Sequence, residues 1–425
     1  MNKKPKPMKS SLMALLGGTA LLCTNALPVQ AAPAPSAEEL WAVIQTQQKE
    51  IEQLKAQQKS TDQKVEDATQ KVHATSETVE QTAQAVEQAQ KTASKPSWVD
   101  RTKLGGYGEL HYNNLESKNE IDLHRFVLFL GHEFSDRVRF YSELEVEHTG
   151  VEADGDPLAG EVELEQAFVE LDIAQQHTAR AGLFLVPAGI INETHEPPTF
   201  YGVERNPVET NIIPTTWWEA GAGVAGELAP GWGYDLSFTS GLETPTTGSN
   251  AYKIRNGRQK VSLAKADEGA LTGRIKWTGL PGVELAATAQ YQSDLTQGTG
   301  AAGTASSATL LETHAAIARG PWGLRALYAR WDLDGAAPAA IGRDKQSGWY
   351  IEPSYKITSK FGLFARYNEW DNSAGASGPG NTEIRQIDAG LNYWPHEDVV
   401  LKLDIQNQSG SANDDGFNLG VGYQF

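Results

Sequence analysis

The stretch Gly416-Phe417-Asn418-Leu419-Gly420-Val421-Gly422-Tyr423-Gln424-Phe425 ends the chain and decides its fold class. Every second residue from Phe417 to Phe425 is apolar and the others are small or polar, which is the period of a β-strand with one apolar face. On a soluble protein such a strand would form an edge prone to aggregation. In a closed barrel that meets lipid, the same strand is paired on both sides. The alternation therefore predicts the closing strand of a membrane β-barrel.

The beginning of the chain is typical of a secretory signal peptide. Lys3, Lys4, Lys6 and Lys9 precede an apolar stretch at 12–22, and Val29-Gln30-Ala31 provides a cleavage site with small residues. We expect residues 1–31 to be removed and the mature chain to begin at Ala32. Cys23 offers an alternative as a lipid-attachment site, which the bulky Leu22 before it disfavours.

Removal of four lysines and no acid lowers the formal net charge from −18 to −22. It also removes the only Cys and all three Met, so thiol chemistry and disulfides are excluded from the mature chain. No run of 18 apolar residues follows the signal, which excludes a helical membrane span and leaves a barrel possible.

Residues 32–97 differ in composition from the rest of the mature chain. Gly and Pro are absent from 36–95, and a seven-residue frame of Ile and Val is interrupted only at Gln58. This heptad predicts a coiled coil, with a single solvated helix or a disordered linker as alternatives. The apolar frame consists of Ile44, Ile51, Val65, Val72, Val79 and Val86.

From Trp98 to Phe425 the period changes to two. Val138–Glu147 alternates apolar residues with charged ones, and comparable alternation occurs in 271–277, 283–291 and 399–405. Short turns are expected near 135–137, 174–177, 229–231, 279–282, 320–321, 358–360 and 395–398. Longer polar loops are expected near 113–119, 149–160, 193–218, 243–269, 294–307, 335–346, 372–381 and 409–415.

This alternation of long and short connections is typical of an outer-membrane barrel with external loops and periplasmic turns. Eight loops and seven turns predict an all-β, 16-stranded antiparallel transmembrane barrel in 98–425, preceded by the α-helical coiled coil. Both barrel ends and the coiled coil are then periplasmic. A barrel of about 16 strands leaves an aqueous channel, so geometry alone predicts transport.

The third long loop, from Glu193 to Trp218, is too apolar and aromatic to be freely solvated. It occupies the place of the inward-folded constriction loop of 16-stranded porins. We expect its charged residues to line the narrowest point, although packing over the barrel mouth or at a subunit contact is the alternative. These constriction candidates are His195, Glu196, Glu204, Arg205 and Glu209.

Three segments carry a family resemblance: 180–189 (RAGLFLVPAG), 254–259 (IRNGRQ) and 280–285 (LPGVEL). They are similar to the phosphate-selective porin O and P family. The resemblance implies a trimeric 16-stranded porin, an N-terminal periplasmic coiled coil in some members, and passage of anions such as phosphate or polyphosphate. The C-terminal Phe425 also resembles the signal that the outer-membrane barrel assembly machinery recognises.

The charge pattern does not favour anions. The third loop contains no Lys, and 98–425 holds 44 acidic against 25 basic residues. A general or cation-preferring porin is therefore the alternative. Inward-facing bases either guide solutes or brace the wall through ion pairs. The lumen-facing candidates are Arg125, Arg139, Glu143, Glu145, Glu147, Arg274, Lys276, Arg366 and Lys402, with Glu163 and Glu165 on the fourth strand.

The aromatic residues near strand ends are expected to form an interfacial girdle, and those of the third loop offer a sugar-stacking track as the alternative. The girdle candidates are Trp232, Trp277, Trp322, Trp349 and Trp394.

Other function classes find less support. None of the nine His has a Ser two residues later, the pattern shared by outer-membrane phospholipases, so we expect no enzyme. No cofactor or metal site is expected, because His195-Glu196 and Asp154-Gly155-Asp156 lack metal-type spacing. The expected partners are outer-membrane lipid, small ions or solutes and two further copies of the chain, with attachment of the coiled coil to the cell wall as an alternative role. Nucleic acid is not expected.

Overall fold

The computed structural model describes residues 37–93, 97–149 and 160–425. The chain divides into two compact units, 1–95 and 96–425. The predicted signal peptide, Cys23 and Asp154 lie outside the described residues.

The N-terminal unit contains one helix, α1 (Ala37–Ala93), of 57 residues. No Gly or Pro interrupts it, which allows continuous backbone hydrogen bonding. The six Ile and Val residues of the heptad frame are 48% to 67% exposed along it. None of the helices in the described ranges is long and apolar enough to cross a bilayer.

The second unit is a closed barrel in which each strand pairs with its neighbours in sequence, as predicted. The strands are β1 (Thr102–Leu115), β2 (Asn119–Ser135), β3 (Val138–Glu147), β4 (Val162–Ala174), β5 (His177–Leu185), β6 (Trp218–Ala229), β7 (Trp232–Thr239), β8 (Ala270–Trp277), β9 (Val283–Gln292), β10 (Ala308–Arg319), β11 (Trp322–Leu333), β12 (Lys345–Lys356), β13 (Phe361–Asp371), β14 (Ile384–His396), β15 (Val399–Gly410) and β16 (Gly416–Gln424). Two short helices, α2 (Val208–Asn211) and α3 (Ala336–Ala340), lie in the loops.

The last strand closes the barrel against the first. β16 pairs antiparallel with β1 from Tyr107 opposite Gln424 to Leu115 opposite Gly416. Phe425 extends this pairing, because its backbone N–H donates to the Gly106 carbonyl at 2.8 Å and its carbonyl accepts from the Gly106 N–H at 2.9 Å. The predicted sixteenth strand is thus confirmed, with hydrogen bonds on both edges.

All seven short turns fall where the sequence predicts them, but the first long loop does not. β1 and β2 are joined by only three residues, 116–118. Asn113 and Asn114, expected in a loop, continue β1, and Asn119 begins β2. Polar residues can extend these strands because one face of each strand lines a polar lumen. The buried Asn113, for example, donates a hydrogen bond to Asn418 at 2.8 Å.

The strands separate apolar and polar faces as a membrane barrel requires. Leu144 is 42% exposed on the outside, whereas its neighbours Glu143 and Glu145 are each 1% exposed on the inside. Four of the girdle candidates, Trp232, Trp277, Trp322 and Trp349, lie on outward-facing strand positions.

The girdle prediction is wrong for Trp394. Its indole N–H donates inward to the Pro198 carbonyl at 3.4 Å, and its ring meets that of Tyr201 edge-on at 5.7 Å. The position two residues earlier, Asn392, is fully buried in the lumen, so Trp394 shares its inward face.

Candidate functional site

The loop between β5 and β6, which we call L3 (residues 186–217), lies inside the barrel. The Val203 N–H donates to the Asp404 carboxylate at 2.6 Å. Asn392 and Trp331 donate to the carbonyls of Phe200 and Ile212 at 3.0 and 2.9 Å. Further inner-wall contacts come from β1, β3, β4, β8, β9, β12, β13 and β16. L3 is therefore held around the lumen wall.

One buried carboxylate anchors the start and the middle of L3 to each other. Glu209 Oε2 accepts hydrogen bonds from the backbone N–H groups of Ile190 and Ile191 at 2.8 and 2.6 Å. Its Oε1 accepts from the Tyr350 hydroxyl at 2.7 Å and from the Asn206 amide at 3.3 Å. The side chain is fully buried, so Glu209, expected among residues lining the narrowest point, is a structural anchor instead.

An apolar core fills one side of the lumen. Ile212 and Trp217 of L3 are completely buried there, together with Ile254 of the next loop, L4 (residues 240–269). On the wall side the same cluster contains Trp331 of β11 and Tyr350 of β12. Phe200 and Trp217 of L3 are also buried, so they do not offer a stacking surface; Trp218, the first residue of β6, is 4% exposed and lines the smaller cavity described next.

The open space lies on the opposite side of the lumen, beside β1 to β4. It comprises two adjoining cavities of about 300 and 210 Å³. Both are lined by His124, Arg205, Thr215 and Arg255. We call the two together the vestibule.

One edge of the vestibule is basic. Arg255 Nη1 donates to the carbonyls of Thr210 and Thr215, both at 2.9 Å. Arg258 Nη1 donates to the Thr216 carbonyl at 2.6 Å, and Arg205 Nη1 to the Thr216 hydroxyl at 2.7 Å.

Among the described residues, none of these three guanidinium groups has a carboxylate oxygen within 4.0 Å. Arg205 Nε and Nη2 and Arg258 Nε are buried without a hydrogen-bond acceptor. Burial, and then the neighbouring charge of Arg258, lower the pKa of Arg255 to about 10, so it remains protonated at neutral pH.

The facing edge of the vestibule is acidic and belongs to β3 and β4. Glu145, Glu147, Glu163 and Glu165 line the smaller cavity. Lys260 of L4 forms an ion pair with Glu163 at 2.5 Å, and Glu165 is 0% exposed. Neither Glu165 oxygen receives a hydrogen bond. Positive loop groups and negative wall groups therefore face one another across the vestibule.

The lumen-facing bases predicted from the strands lie inside the barrel, and most are ion-paired. Arg125 Nη2 is 2.5 Å from Glu109, and Arg366 is 3.1 Å from Glu352 and 3.0 Å from Asp388. Arg139 pairs with Glu170 and Asp172, Arg274 with Glu193 and Asp235, and Lys276 with Glu284. Lys402 instead lies over the Phe200 ring, with Nζ 3.5 Å from the centroid. These ion pairs support the interpretation that the basic residues on the strands stabilise the barrel wall.

The remaining constriction candidates are placed differently from one another. Glu204 bridges L3 to β1, accepting hydrogen bonds from His111 at 3.1 Å and Asn113 at 2.9 Å. Burial alone would raise the pKa of Glu204, but the hydrogen bond and charge of His111 hold it well below 4.5. His195 is buried against the acidic wall, whereas Glu196 is half-buried at the start of the short helical turn at 197–199.

Sequence reasoning missed Arg255 and Arg258 as site residues. Both lie in the 254–259 segment that carries the family resemblance, which was the available signal. His111 and His124 were also missed, because isolated His residues in strands carry no sequence signature.

Comparisons with known proteins agree with this architecture. The family model for "Phosphate-selective porin O and P" matches residues 100–415. An uncharacterized protein of Aquifex aeolicus (strain VF5) is 29% identical over 364 residues, covering 78% of this chain and 82% of that protein.

Solved structures with the same fold share little sequence. The anion-selective porin from Comamonas acidovorans has a TM-score of 0.54 and 12% identity, covering 76% of this chain and 99% of that one. The outer membrane channel DcaP of Acinetobacter baumannii has a TM-score of 0.52 and 14% identity, covering 76% and 97%. The trimer form of OmpT from Vibrio cholerae has a TM-score of 0.52 and 11% identity, covering 76% and 99%. Because the family model covers most of the barrel and the strand order is that of a porin, this chain belongs to the phosphate-selective porin O and P family.

Proposed function

We propose that this outer-membrane porin passes small solutes by passive diffusion and favours anions such as phosphate or polyphosphate at the level of L3. The observation that carries the proposal is the set of three arginines, Arg205, Arg255 and Arg258, that line the vestibule without a carboxylate partner. An arginine paired to a carboxylate contributes little net field to a passing ion. An unpaired guanidinium retains both its charge and free N–H donors, which suit phosphate oxygens.

The positions of these arginines also support the proposal. They come from L3 and L4, which share an apolar core inside the barrel, so their charges would lie at the level where L3 is expected to narrow the passage. The similarly folded Comamonas acidovorans protein is described as anion-selective. That likeness, at 12% identity, extends only to the fold.

The test is the reversal potential of single channels in a KCl gradient across a planar bilayer. The wild-type channel should favour chloride, and phosphate should compete with chloride conductance. The triple variant Arg205→Gln/Arg255→Gln/Arg258→Gln should shift the reversal potential towards cations and lose the competition. Arg139→Gln is the matched control, because it removes a lumenal arginine that is already paired with Glu170 and Asp172.

The outcomes separate the alternatives. Equal reversal potentials for the triple variant and Arg139→Gln would contradict the role given to the three arginines. A wild-type preference for cations would favour the second candidate, a general or cation-preferring porin. That candidate is supported by the acidic edge of the vestibule and by the excess of acids in 98–425. If the purified protein gave no conductance in a lipid bilayer, the proposal that it transports solutes would be wrong.

We further propose that the protein is a channel without hydrolytic activity. Its lumenal His residues are hydrogen-bonded or ion-paired to carboxylates or a backbone carbonyl, and among the described residues no Ser is bonded to them as a nucleophile would be. Phospholipid hydrolysis by the purified, conducting channel would overturn this assignment.

We propose that three copies assemble through the barrel and through a periplasmic coiled coil formed by α1. The exposed Ile and Val residues of the heptad frame, spaced along α1, support self-association, because such a row gains stability when helices pack together. A related fold is known in trimer form, the OmpT of Vibrio cholerae. Attachment of the coiled coil to the cell wall is a further possibility that this arrangement would permit.

Deleting residues 37–95 tests the role of the helix. Mass photometry of the full chain should give the mass of a trimer. The shortened chain should retain the same single-channel conductance and dissociate into monomers at lower detergent or denaturant concentration. Equal stability of the two oligomers would contradict a contribution from the helix.

We also propose that the signal at 1–31 directs export and that Phe425 is read by the barrel assembly machinery. Replacing Phe425 with Ala preserves the backbone pairing of this position to Gly106. We expect less barrel to be assembled in the membrane of cells, whereas refolding of the purified chain in detergent should be normal. This combination would show that the side chain serves recognition by the assembly machinery and not the stability of the barrel.

A further inference from the structure

Between L3 and the acidic wall lies a buried group of metal-ligand type that the channel function does not require. Glu143 of β3, Glu165 of β4 and His195 of L3 each offer one ligand atom, and these atoms all lie within 4.8 Å of one another. All three side chains are buried, with exposures of 1%, 0% and 3%. Residues this far apart in sequence are brought together only by the folding of L3 into the barrel.

Four polar atoms in and beside this group have no hydrogen-bond partner among the described residues. They are both oxygens of Glu165, Oε1 of the adjacent Glu145 and Nε2 of His195. The nearest base, Arg125, is 3.7 Å from Glu145 but already bonded to Glu109 at 2.5 Å. Buried carboxylates without donors are costly unless a cation or a proton compensates them.

We propose that Glu143, Glu165 and His195 bind one divalent transition-metal ion such as Zn²⁺, with Glu145 available as a fourth ligand. His195 Nε2 is 3.4 Å from Glu143 Oε1 and 3.5 Å from Glu165 Oε2. Two ligands of a tetrahedral zinc ion, each about 2.0 to 2.1 Å from the metal, are about 3.3 Å apart. One imidazole with two or three carboxylates suits zinc or manganese better than calcium or magnesium.

Surrounding hydrogen bonds orient the ligands. His195 Nδ1 is 3.1 Å from the Asn192 carbonyl, an arrangement that makes Nδ1 the donor and directs the Nε2 lone pair at the carboxylates. The Gln166 amide donates to Glu143 Oε2 at 2.7 Å, and the Tyr107 hydroxyl donates to Oε1, the oxygen that faces His195, at 3.3 Å. Such contacts to the non-ligating atoms are typical of metal centres.

The group adjoins the vestibule, because Glu145 and Glu165 line its 210 Å³ cavity. A bound ion would tie His195 of L3 to β3 and β4 and neutralise part of the acidic edge. This inference does not depend on anion selectivity, because its evidence is the ligand geometry alone.

Metal binding to the purified channel, carried on a tag without histidine, tests the proposal. Two other groups of metal-ligand type contain histidine and are more exposed: Asp122 with His124 and His148, and His396 with Glu397 and Asp398. The measurements are therefore made in the His148→Gln/His396→Gln background. After removal of metal with EDTA, we expect one Zn²⁺ per chain by competition with a chromophoric chelator. Co²⁺ should give the visible absorption of a tetrahedral site.

Glu165→Gln and His195→Gln should each weaken zinc binding by more than about 100-fold, since loss of a ligand exceeds loss of an orienting contact. Glu352→Gln is the matched control: this lumenal carboxylate is equally buried but paired with Arg366, and its loss should leave zinc binding unchanged. The β-strand circular dichroism spectrum and the thermal unfolding transition of each variant identify the correctly folded ones.

The alternative is a protonated His195 held between the two carboxylates without metal. Absence of stoichiometric zinc, a Co²⁺ spectrum of octahedral type, or equal affinity in Glu165→Gln would overturn the proposal. If both ligand variants failed to fold, the zinc stoichiometry and Co²⁺ spectrum of the His148→Gln/His396→Gln channel would still decide.

Discussion

Replacement of Glu209 by Ala should release L3 from its anchored position. Four buried donors would lose their acceptor: the Asn206 amide, whose bond is the longest at 3.3 Å, and three closer donors, the N–H groups of Ile190 and Ile191 and the Tyr350 hydroxyl. Each buried donor left unpaired costs about 1–3 kcal/mol. Even at the lower limit, the docked state of L3 loses about 3 kcal/mol relative to an open state.

The expected effect is a large increase in local opening. Since every 1.4 kcal/mol is about a factor of ten, 3 kcal/mol corresponds to a roughly 100-fold loss of hydrogen-exchange protection at Ile190 and Ile191. Hydrogen–deuterium exchange followed by mass spectrometry in detergent measures it. The same variant should show larger and noisier single-channel currents, because L3 no longer narrows the lumen continuously.

Tyr350→Phe provides the graded control. It removes one of the hydrogen bonds to Glu209 and leaves the backbone donors paired, so protection should fall by about tenfold. If the protection factors of these amides in Glu209→Ala stayed within about threefold of the wild-type values, the conclusion that Glu209 anchors L3 would be wrong. Exchange in strand β7, none of whose residues belongs to the apolar core around L3, reports whether the whole barrel has loosened.

Three further perturbations address the packing of L3. Gly422→Ala should displace the start of the L3 turn and cost about 1–3 kcal/mol in denaturant unfolding, because the new Cβ would lie 2.3 Å from Pro197 Cβ. The pKa of Glu204 is depressed, so the stability that its carboxylate gives to docked L3 is complete above about pH 4.5 and is lost as the pH falls towards the folded-state pKa. The conductance should therefore change only in stronger acid. Glu204→Gln weakens the contact to His111 and should abolish this acid-induced change. Lys402→Met should leave the thermal unfolding free energy unchanged or raise it by up to about 1 kcal/mol, because the buried Nζ has no hydrogen-bond partner.

Each of these has a discriminating result. Gly233→Ala is the control for Gly422→Ala, because a Cβ added at Gly233 would lie 3.6 Å from its nearest atom. Equal losses of stability in the two variants would contradict the steric argument. An acid step that persists in Glu204→Gln would assign it to another group. A loss of several kcal/mol in Lys402→Met would indicate that the ammonium has an ionic role in the wall.

The barrel could be predicted because lipid and lumen impose a period of two on every strand. The same rule explains the failure at Asn113 and Asn114: polar residues are as suitable for a lumen-facing strand as for a loop, so composition could not locate the first connection. Trp394 failed for a related reason. Its position near a strand end is typical of the girdle, but its partner, the Pro198 carbonyl, comes from L3.

The site was only partly predictable, because it depends on contacts between loops. Arg205 was found from the composition of L3, whereas Arg255 acquires its place by donating to carbonyls of residues about 40 positions earlier. Glu209 was identified as charged and central, but its burial depends on the backbone of Ile190 and Ile191. The local sequence around a side chain does not reveal which distant backbone groups it will bond.

The attachment of L3 to β15 and β16 also constrains the order of assembly. L3 is made between β5 and β6, yet Val203 bonds to Asp404 of β15 and packs against Gly420 of β16. β15 and β16 are the strands that close the barrel against β1, so L3 cannot complete its docking until both strands are in place. The final narrowing of the lumen is therefore a late event in biogenesis, and a chain truncated before β15 would lack the surface on which L3 settles.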